Sequence, residues 1–132
     1  MAGPARRRDE RGSAVVDFVL VMLILIPLFL GILQLALVLH VRNTLASAAS
    51  EGARYAATQD RGLGDGEAKA RTEISTAISG RYASSVDASS TTVEGAPGVV
   101  VAVEAEVPPL GLWGPAVRIR VEGHAIEEVT EP

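Results

Sequence analysis

The chain has 132 residues, enough for one small domain and an anchor, and a formal net charge of −4 at pH 7. That charge argues against nucleic acid as a partner, and the absence of cysteine excludes a disulfide framework, thiolate zinc ligands and a thiol nucleophile. Hydrophobic residues make up 48% but aromatics only 4%, so a soluble core has to be built from Val, Ile, Leu and Ala.

Residues 1–12 form a basic leader, with Arg6, Arg7, Arg8 and Arg11 diluted by Asp9 and Glu10. Phe18 to Leu39 then runs without a charge, and Gln34 is its only strongly polar side chain. As a helix this run covers about 33 Å, close to the roughly 30 Å hydrocarbon core of a bilayer. It is apolar on every face, and the rest of the chain has too little apolar surface to wrap it, which argues against a buried core helix. The excess of arginine before the span, against His40 and Arg42 after it, predicts a single-pass protein of the cytoplasmic (inner) membrane. Its N-terminus lies in the cytoplasm and its C-terminal two-thirds outside. Ala46, Ser47 and Ala48 form a secretory cleavage tripeptide, but the apolar run is longer than the 7–15 residues or so of an ordinary signal, and Arg42 intervenes. Pro27 and Gly31 sit one turn apart in the span. They are either a kink and a point of close helix approach, or ordinary residues of a membrane helix.

Asp17 stands directly before the apolar run. A carboxylate there is costly unless it reaches water or a partner; an interfacial aspartate favoured by the positive end of the helix dipole is the simpler account. The wider pattern offers another. A cut after Gly12 makes Ser13 the new N-terminus, Asp17 the fifth residue and Phe18 the sixth, with about twenty apolar residues following. This resembles the processing site of type IV pilin-like proteins, which keep their apolar helix after cleavage on the cytoplasmic side. The run RGSAVVDFVLVMLILIPLFLGILQLALVL, continued by VRNTLASAASEGARYAAT, resembles the TadE-like family of tight-adherence pilus systems. Asn43, Ala48, Glu51, Gly52, Ala53, Arg54, Tyr55 and Ala56 match its second motif. The resemblance covers roughly Arg11 to Thr58, with aspartate at position 17 where the family usually has glutamate. It implies a pseudopilin, a minor pilin-like subunit supporting assembly of a tight-adherence type IV-like pilus or related secretion system. Its partners would be a prepilin peptidase, a membrane assembly platform, a secretion ATPase acting indirectly and other pilin-like subunits. Cleavage would create an α-ammonium at Ser13 that Asp17 of a neighbouring subunit can neutralise, two charges tolerable in lipid only as a pair.

Val41 to Thr58 reads as a continuation of the helix. Leu45, Ala48, Ala49, Gly52, Tyr55 and Ala56 fall at three- and four-residue spacing, a stripe small enough for close approach of a second helix. Either another subunit or the chain's own head covers it. Ala14 to Thr58 would form one rod about 68 Å long at about 1.5 Å per residue.

Asp60 to Gly66 (DRGLGDG) is expected to be a loop, with Asp65 capping a helix from about Glu67 to Tyr82. Ala70, Ile74, Ala77, Ile78 and Tyr82 make the apolar face of that helix; Lys69, Arg71 and Glu73 are its solvated side. Val86 to Glu94 is a weak strand candidate. Gly98 to Val107 is a stronger one, with Val99, Val101, Val103, Ala105 and Val107 alternating against more polar neighbours. Ala116 to Ile126 alternates again. If these two strands are antiparallel neighbours, Glu104 and Glu106 meet Arg118 and Arg120 on one outer face. Trp113, in the intervening PPLGLWGP, anchors a partner, touches the membrane surface or covers the end of a small core. The expected class is α+β: a long N-terminal transmembrane helix extending beyond the membrane over residues 13–58, then a head over residues 59–132. The head would hold a second amphipathic helix and a small antiparallel sheet.

His40 and His124 are isolated and lack metal-ligand spacing. No serine has a nucleophile-elbow context, and no candidate nucleophile has a plausible base. Glu127, Glu128 and Glu131 read as a solvated acidic end. No enzyme, cofactor, metal or small-molecule substrate is therefore expected. Two other readings compete with the pilin-like one: an uncleaved, membrane-anchored extracytoplasmic binding module, and a protein secreted after a cut at Ala48.

Overall fold

The computed structural model describes residues 6–110 and 114–129, with side chains from Glu10 onward. Its elements are α1 (Arg6–Ala57), α2 (Leu63–Ala77), a short 3-10 turn (Gly80–Ala83), and strands β1 (Ser85–Val93), β2 (Ala96–Val107) and β3 (Val117–Ile126). The architecture is α+β, with a long apolar N-terminal helix, a second helix and one three-stranded antiparallel sheet. The chain divides into two units, residues 1–36 and 37–132.

The first unit consists of the N-terminal part of α1. The helix begins at Arg6, well before Ser13, where a cut after Gly12 would start it. The reason is local: Arg6 to Arg11 are charged residues with no helix breaker among them, so the helix extends through Gly12 at the roughly 1 kcal/mol that an interior glycine costs. From Glu10 to Ala36 only Met22 and Gln34 are even half-buried. The most apolar window of α1 has a mean hydropathy of 2.8 and buries nothing within the chain. A helix that is apolar all round and covered by no protein takes lipid as its solvent. Among the described residues α1 is the one helix long and apolar enough to cross a membrane.

The second unit is the head, and it includes the end of α1 from Leu37. Val41, Leu45, Ala48, Ala49, Ala53, Ala56 and Ala57 on α1 join Ala70 and Ile74 of α2 and the inner face of the sheet in one core. With so few aromatics, the largest fully buried side chains are Leu45, Ile74 and a set of valines. Complete burial of a Leu or Ile side chain is worth about 1.5–3 kcal/mol.

The sheet order is β1-β2-β3. A two-residue loop, Glu94-Gly95, joins β1 to β2, whose register runs from Ser85↔Glu104 to Val93↔Ala96. Both loop residues have positive φ, 50° and 86°, as the tight hairpin turns that match strand twist require. The strand β2 pairs with β3 from Gly98↔Ile126 to Val107↔Val117. Its alternation holds: Val99, Val101, Val103 and Val107 are buried, as are Ile119 and Val121 on β3. On the solvent face Glu104 is opposite Arg120 and Glu106 opposite Arg118, the expected meeting of charges. The weak strand candidate is β1, which buries Val86 alone.

Helix α2 differs from expectation at both ends. It starts at Leu63, inside the stretch expected to be a loop. Asp65 does not precede the helix but lies in its first turn, where its carboxylate accepts the Gly62 N–H at 2.8 Å. This is the backward half of a capping box. The helix stops at Ala77 because the chain turns at Ser79, which is extended. Tyr82 therefore enters the core from the 3-10 turn.

Candidate processing site and helix-packing surfaces

Gly12, Ser13, Asp17 and Phe18 all lie on α1 and are all exposed, Phe18 at 62%. A Cβ added at Gly12 would meet nothing within 4 Å. Ser13 and Asp17 are four residues apart, so they share one helix face, one turn from each other. Among the described residues Asp17 has neither a hydrogen bond nor an ion pair.

Pro27 sits inside α1 without ending it. Lacking an N–H, it leaves the carbonyl four residues earlier without its usual helical partner. Gly31, one turn on, is exposed with nothing within 4 Å of a notional Cβ. Both are exposed among the described residues.

The lower set of packing residues behaves differently. Ala48 is buried and Gly52 sits against α2. A Cβ added at Gly52 would stand 2.6 Å from the Gly66 carbonyl oxygen and 2.9 Å from Ala70 Cβ. One added at Gly66 would stand 2.6 Å from Ala56 Cβ. Gly52-x-x-x-Ala56 on α1 thus faces Gly66-x-x-x-Ala70 on α2, a pair of small residues on each helix that lets the backbones approach. On the sheet side Gly123 of β3 lies directly on the Ala49–Ser50 peptide. Tyr55 is half-buried, with the Arg61 guanidinium 4.7 Å from its ring centroid. The stripe of small residues beyond the membrane is therefore covered by the chain's own head.

Polar contacts fasten this arrangement at its edges. Glu67 and Arg71, 3.6 Å apart on α2, reach the free edge of β1. Glu67 Oε1 accepts the Ala88 N–H at 2.9 Å, and Arg71 donates to the Val86 carbonyl at 3.0 Å. Arg71 stays exposed, as expected for the solvated side of its helix, while its guanidinium reaches this edge. Lys69 bridges to Glu73 at 2.7 Å; that hydrogen bond first, then the charges of Glu73 and Glu51, raises its pKa above the usual lysine value. Arg120 is held more firmly protonated by hydrogen bonds to Glu104 and Glu122. Trp113 and Glu131 lie outside the described residues.

Gly66, Gly123 and the edge cover of β1 were not legible as functional positions. The one sequence signal was the four-residue spacing of Gly66 and Ala70, which resembles that of Gly52 and Ala56. It lay inside a stretch whose glycine content reads as loop.

The family model described as TadE-like protein matches residues 12–54. No curated protein and no solved structure matches the chain. The matched stretch begins at Gly12, takes in Asp17 and the whole apolar run, and ends within the stripe that the head covers. From Gly12 to Arg54 the chain is similar to TadE-like proteins.

Proposed function

We propose that the protein is a pseudopilin, a non-catalytic membrane subunit that supports assembly of a tight-adherence type IV-like pilus. Its N-terminus faces the cytoplasm, where a prepilin peptidase removes residues 1–12 and leaves Ser13 as the new terminus. The span stays in the membrane and packs beside other pilin-like subunits and the assembly platform. One observation carries this reading: among the described residues Asp17 and the apolar positions that follow it up to Leu33 are exposed apart from half-buried Met22, while the stripe from Val41 to Ala57 is packed by the head. The exposed surface, with Asp17 at its start, is the one offered to a neighbour.

A second reading is an uncut anchor carrying the head. It is favoured by α1 being helical across the Gly12–Ser13 bond, because a peptidase takes its substrate backbone extended. Mass spectrometry of the mature N-terminus separates the two. Ser13 is expected, and the pattern should vanish when prepilin peptidase is deleted. Met1 or Ala2 in both backgrounds gives the protein to the uncut anchor, and Ala49 to a secreted product.

A further inference from the structure

The polar contacts on β1 show which way its backbone points. Glu67 accepts the Ala88 N–H and Arg71 donates to the Val86 carbonyl. In an antiparallel strand a residue turns its N–H and C=O to one side, and its neighbours turn theirs to the other. The even-numbered residues of β1 therefore face away from β2. Ser90 and Thr92 belong to that row, past the last contact from α2. The other edge of the sheet reads the same way. Glu127 donates its N–H to Pro97 of β2 at 3.0 Å, and Glu128 donates to Ala57 at 3.1 Å. Arg118, Arg120, Glu122 and His124, in step with Glu128, thus turn their backbone groups away from β2. Among the described residues nothing bonds the outward groups of Ser90, Thr92, Arg120 or Glu122.

The two open edges complement each other. From Ser89 to Val93 β1 has neither a charge nor a proline, the usual guards of an exposed edge. The edge of β3 is charged, and Arg120 is taken up by Glu104 and Glu122. Arg118 has no ion pair among the described residues, even with its register partner Glu106. Asp87 is exposed on the same face of the sheet and has none either. Both β1 and β3 are antiparallel to β2, so the two edge strands run in the same direction.

We propose that the β1 edge of one copy of this chain docks beside the β3 edge of the next copy, as parallel strands, and joins the heads into a continuous sheet. Ser90 then sits level with Val121 of the next copy, and its N–H and C=O bond to the backbone of Arg120 and Glu122 there. The same register sets Asp87 level with Arg118 of the next copy, on one sheet face, with the strands about 4.8 Å apart. The charge that each edge leaves unpaired is answered by the other. Such a junction is heterologous: each copy offers β1 on one side and β3 on the other, so the contact repeats into a ring or a filament. A two-fold β1–β1 junction would leave the β3 edge and Arg118 open. The inference concerns the head alone and does not rest on cleavage or on the span.

The chain has no cysteine, so disulfide trapping reads the junction directly. Full-length chains carrying Asp87→Cys and Arg118→Cys are co-expressed and oxidised; the backbone bonds, which hold an added strand, remain in both. The mixed disulfide should exceed either homodimer about tenfold, because bridging needs Cα atoms within about 7 Å. One chain carrying both cysteines should give a ladder of dimers, trimers and larger species. It cannot close on itself, since β2 lies between the two strands. Ser90→Pro removes an outward N–H and keeps every bond to β2, so it should abolish the ladder and leave the head folded in a thermal melt. If Ser90→Pro unfolds the head, Thr92→Pro supplies the same test. Asp87→Cys homodimers in excess of the mixed species mean a two-fold contact and overturn the proposal. Monomers throughout, or a ladder that persists in a folded proline variant, overturn it as well.

Discussion

Gly52 and Gly66 lie backbone to backbone where α1 passes α2: a Cβ added at Gly52 would stand 2.6 Å from the Gly66 carbonyl oxygen, and one added at Gly66 2.7 Å from that of Gly52. The close approach lets Ala56 and Ala70 complete the contact and brings Ile74 into the core. Alanine at either glycine gains about 1 kcal/mol of helix propensity. It also drives a methyl into main-chain atoms, which cannot yield as a flexible side chain would. Gly66→Ala and Gly52→Ala should each destabilise the head by about 1–3 kcal/mol net. Thermal melting of the full chain in detergent, followed by the amide signals of the sheet, checks this. An unchanged or higher melting temperature would contradict the crossing.

Glu67 and Arg71 act as a cover for the β1 edge, since an edge strand otherwise offers unpaired backbone groups to other chains. Glu67→Gln retains the shape but weakens the acceptor for the Ala88 N–H. Arg71→Ala exposes the Val86 carbonyl to water. Each should cost about 1 kcal/mol, less than a fully buried charged bond because both side chains reach solvent. Hydrogen exchange at Ala88 should quicken severalfold in Glu67→Gln, and amides of β3 should change only by the global loss.

The tight turn at Glu94-Gly95 places a glutamate at φ 50°, a conformation that suits asparagine better. Glu94→Asn is expected to stabilise the hairpin by about 0.5–1 kcal/mol. Gly95→Val, at φ 86°, is expected to destabilise it by more. Equilibrium denaturation of the two variants should move the midpoint in opposite directions.

Among the described residues the Asp17 side chain has no partner, so Asp17→Ala should leave folding of the head and membrane insertion unchanged. If the carboxylate meets the α-ammonium of a neighbour, as proposed, cross-linking between subunits through the apolar surface should fall. Asp17→Glu should restore it, keeping the charge with one methylene more. Equal cross-linking in all three proteins would dismiss the pairing.

Lys69 is more firmly protonated in the folded head than in the unfolded chain, held by Glu73 and then Glu51. A raised pKa contributes stability that is complete below the unfolded lysine value of about 10.5 and is lost as pH rises through the folded value. Lys69→Met should therefore lower the neutral plateau slightly and flatten the alkaline limb of the pH–stability curve, because the contribution it removes is the one present at neutral pH. A curve that keeps its full alkaline slope would assign that slope to other groups.

Much of this architecture was legible in the residues. Strict alternation from Val99 to Val107 and from Val117 to Val121 identifies two strands, and the charges on their polar faces indicate how they pair. The β1 strand was faint because Asp87-Ala88-Ser89-Ser90-Thr91-Thr92 buries almost nothing; its partner β2, not its own pattern, holds it in the sheet. The start of α2 was hidden because glycine in sequence reads as loop. Gly66 is helical here because another backbone needs its empty Cβ position. Likewise Arg71 looks like surface until the edge of β1 arrives beside it. For the processing segment, the spacing of Gly12, Asp17 and Phe18 is a sequence property, and the fold adds only that their helix continues unbroken back to Arg6.

By itself the sequence determined the membrane span, because an uncharged run of that length matches the bilayer whatever the rest of the chain does. It also determined the similarity of residues 12–54 to TadE-like proteins and the alternating strands, which are local patterns. Only the tertiary structure decided what covers the small-residue stripe from Val41 to Ala57. A helix face of alanines and glycine states that something must come close, and does not say whether that is another subunit or the same chain. Here Gly66 and Gly123 bring the chain's own helix and strand to within backbone contact, so the lower half of α1 is filled. The upper part, from Ser13 to Leu33, stays exposed among the described residues except at Met22.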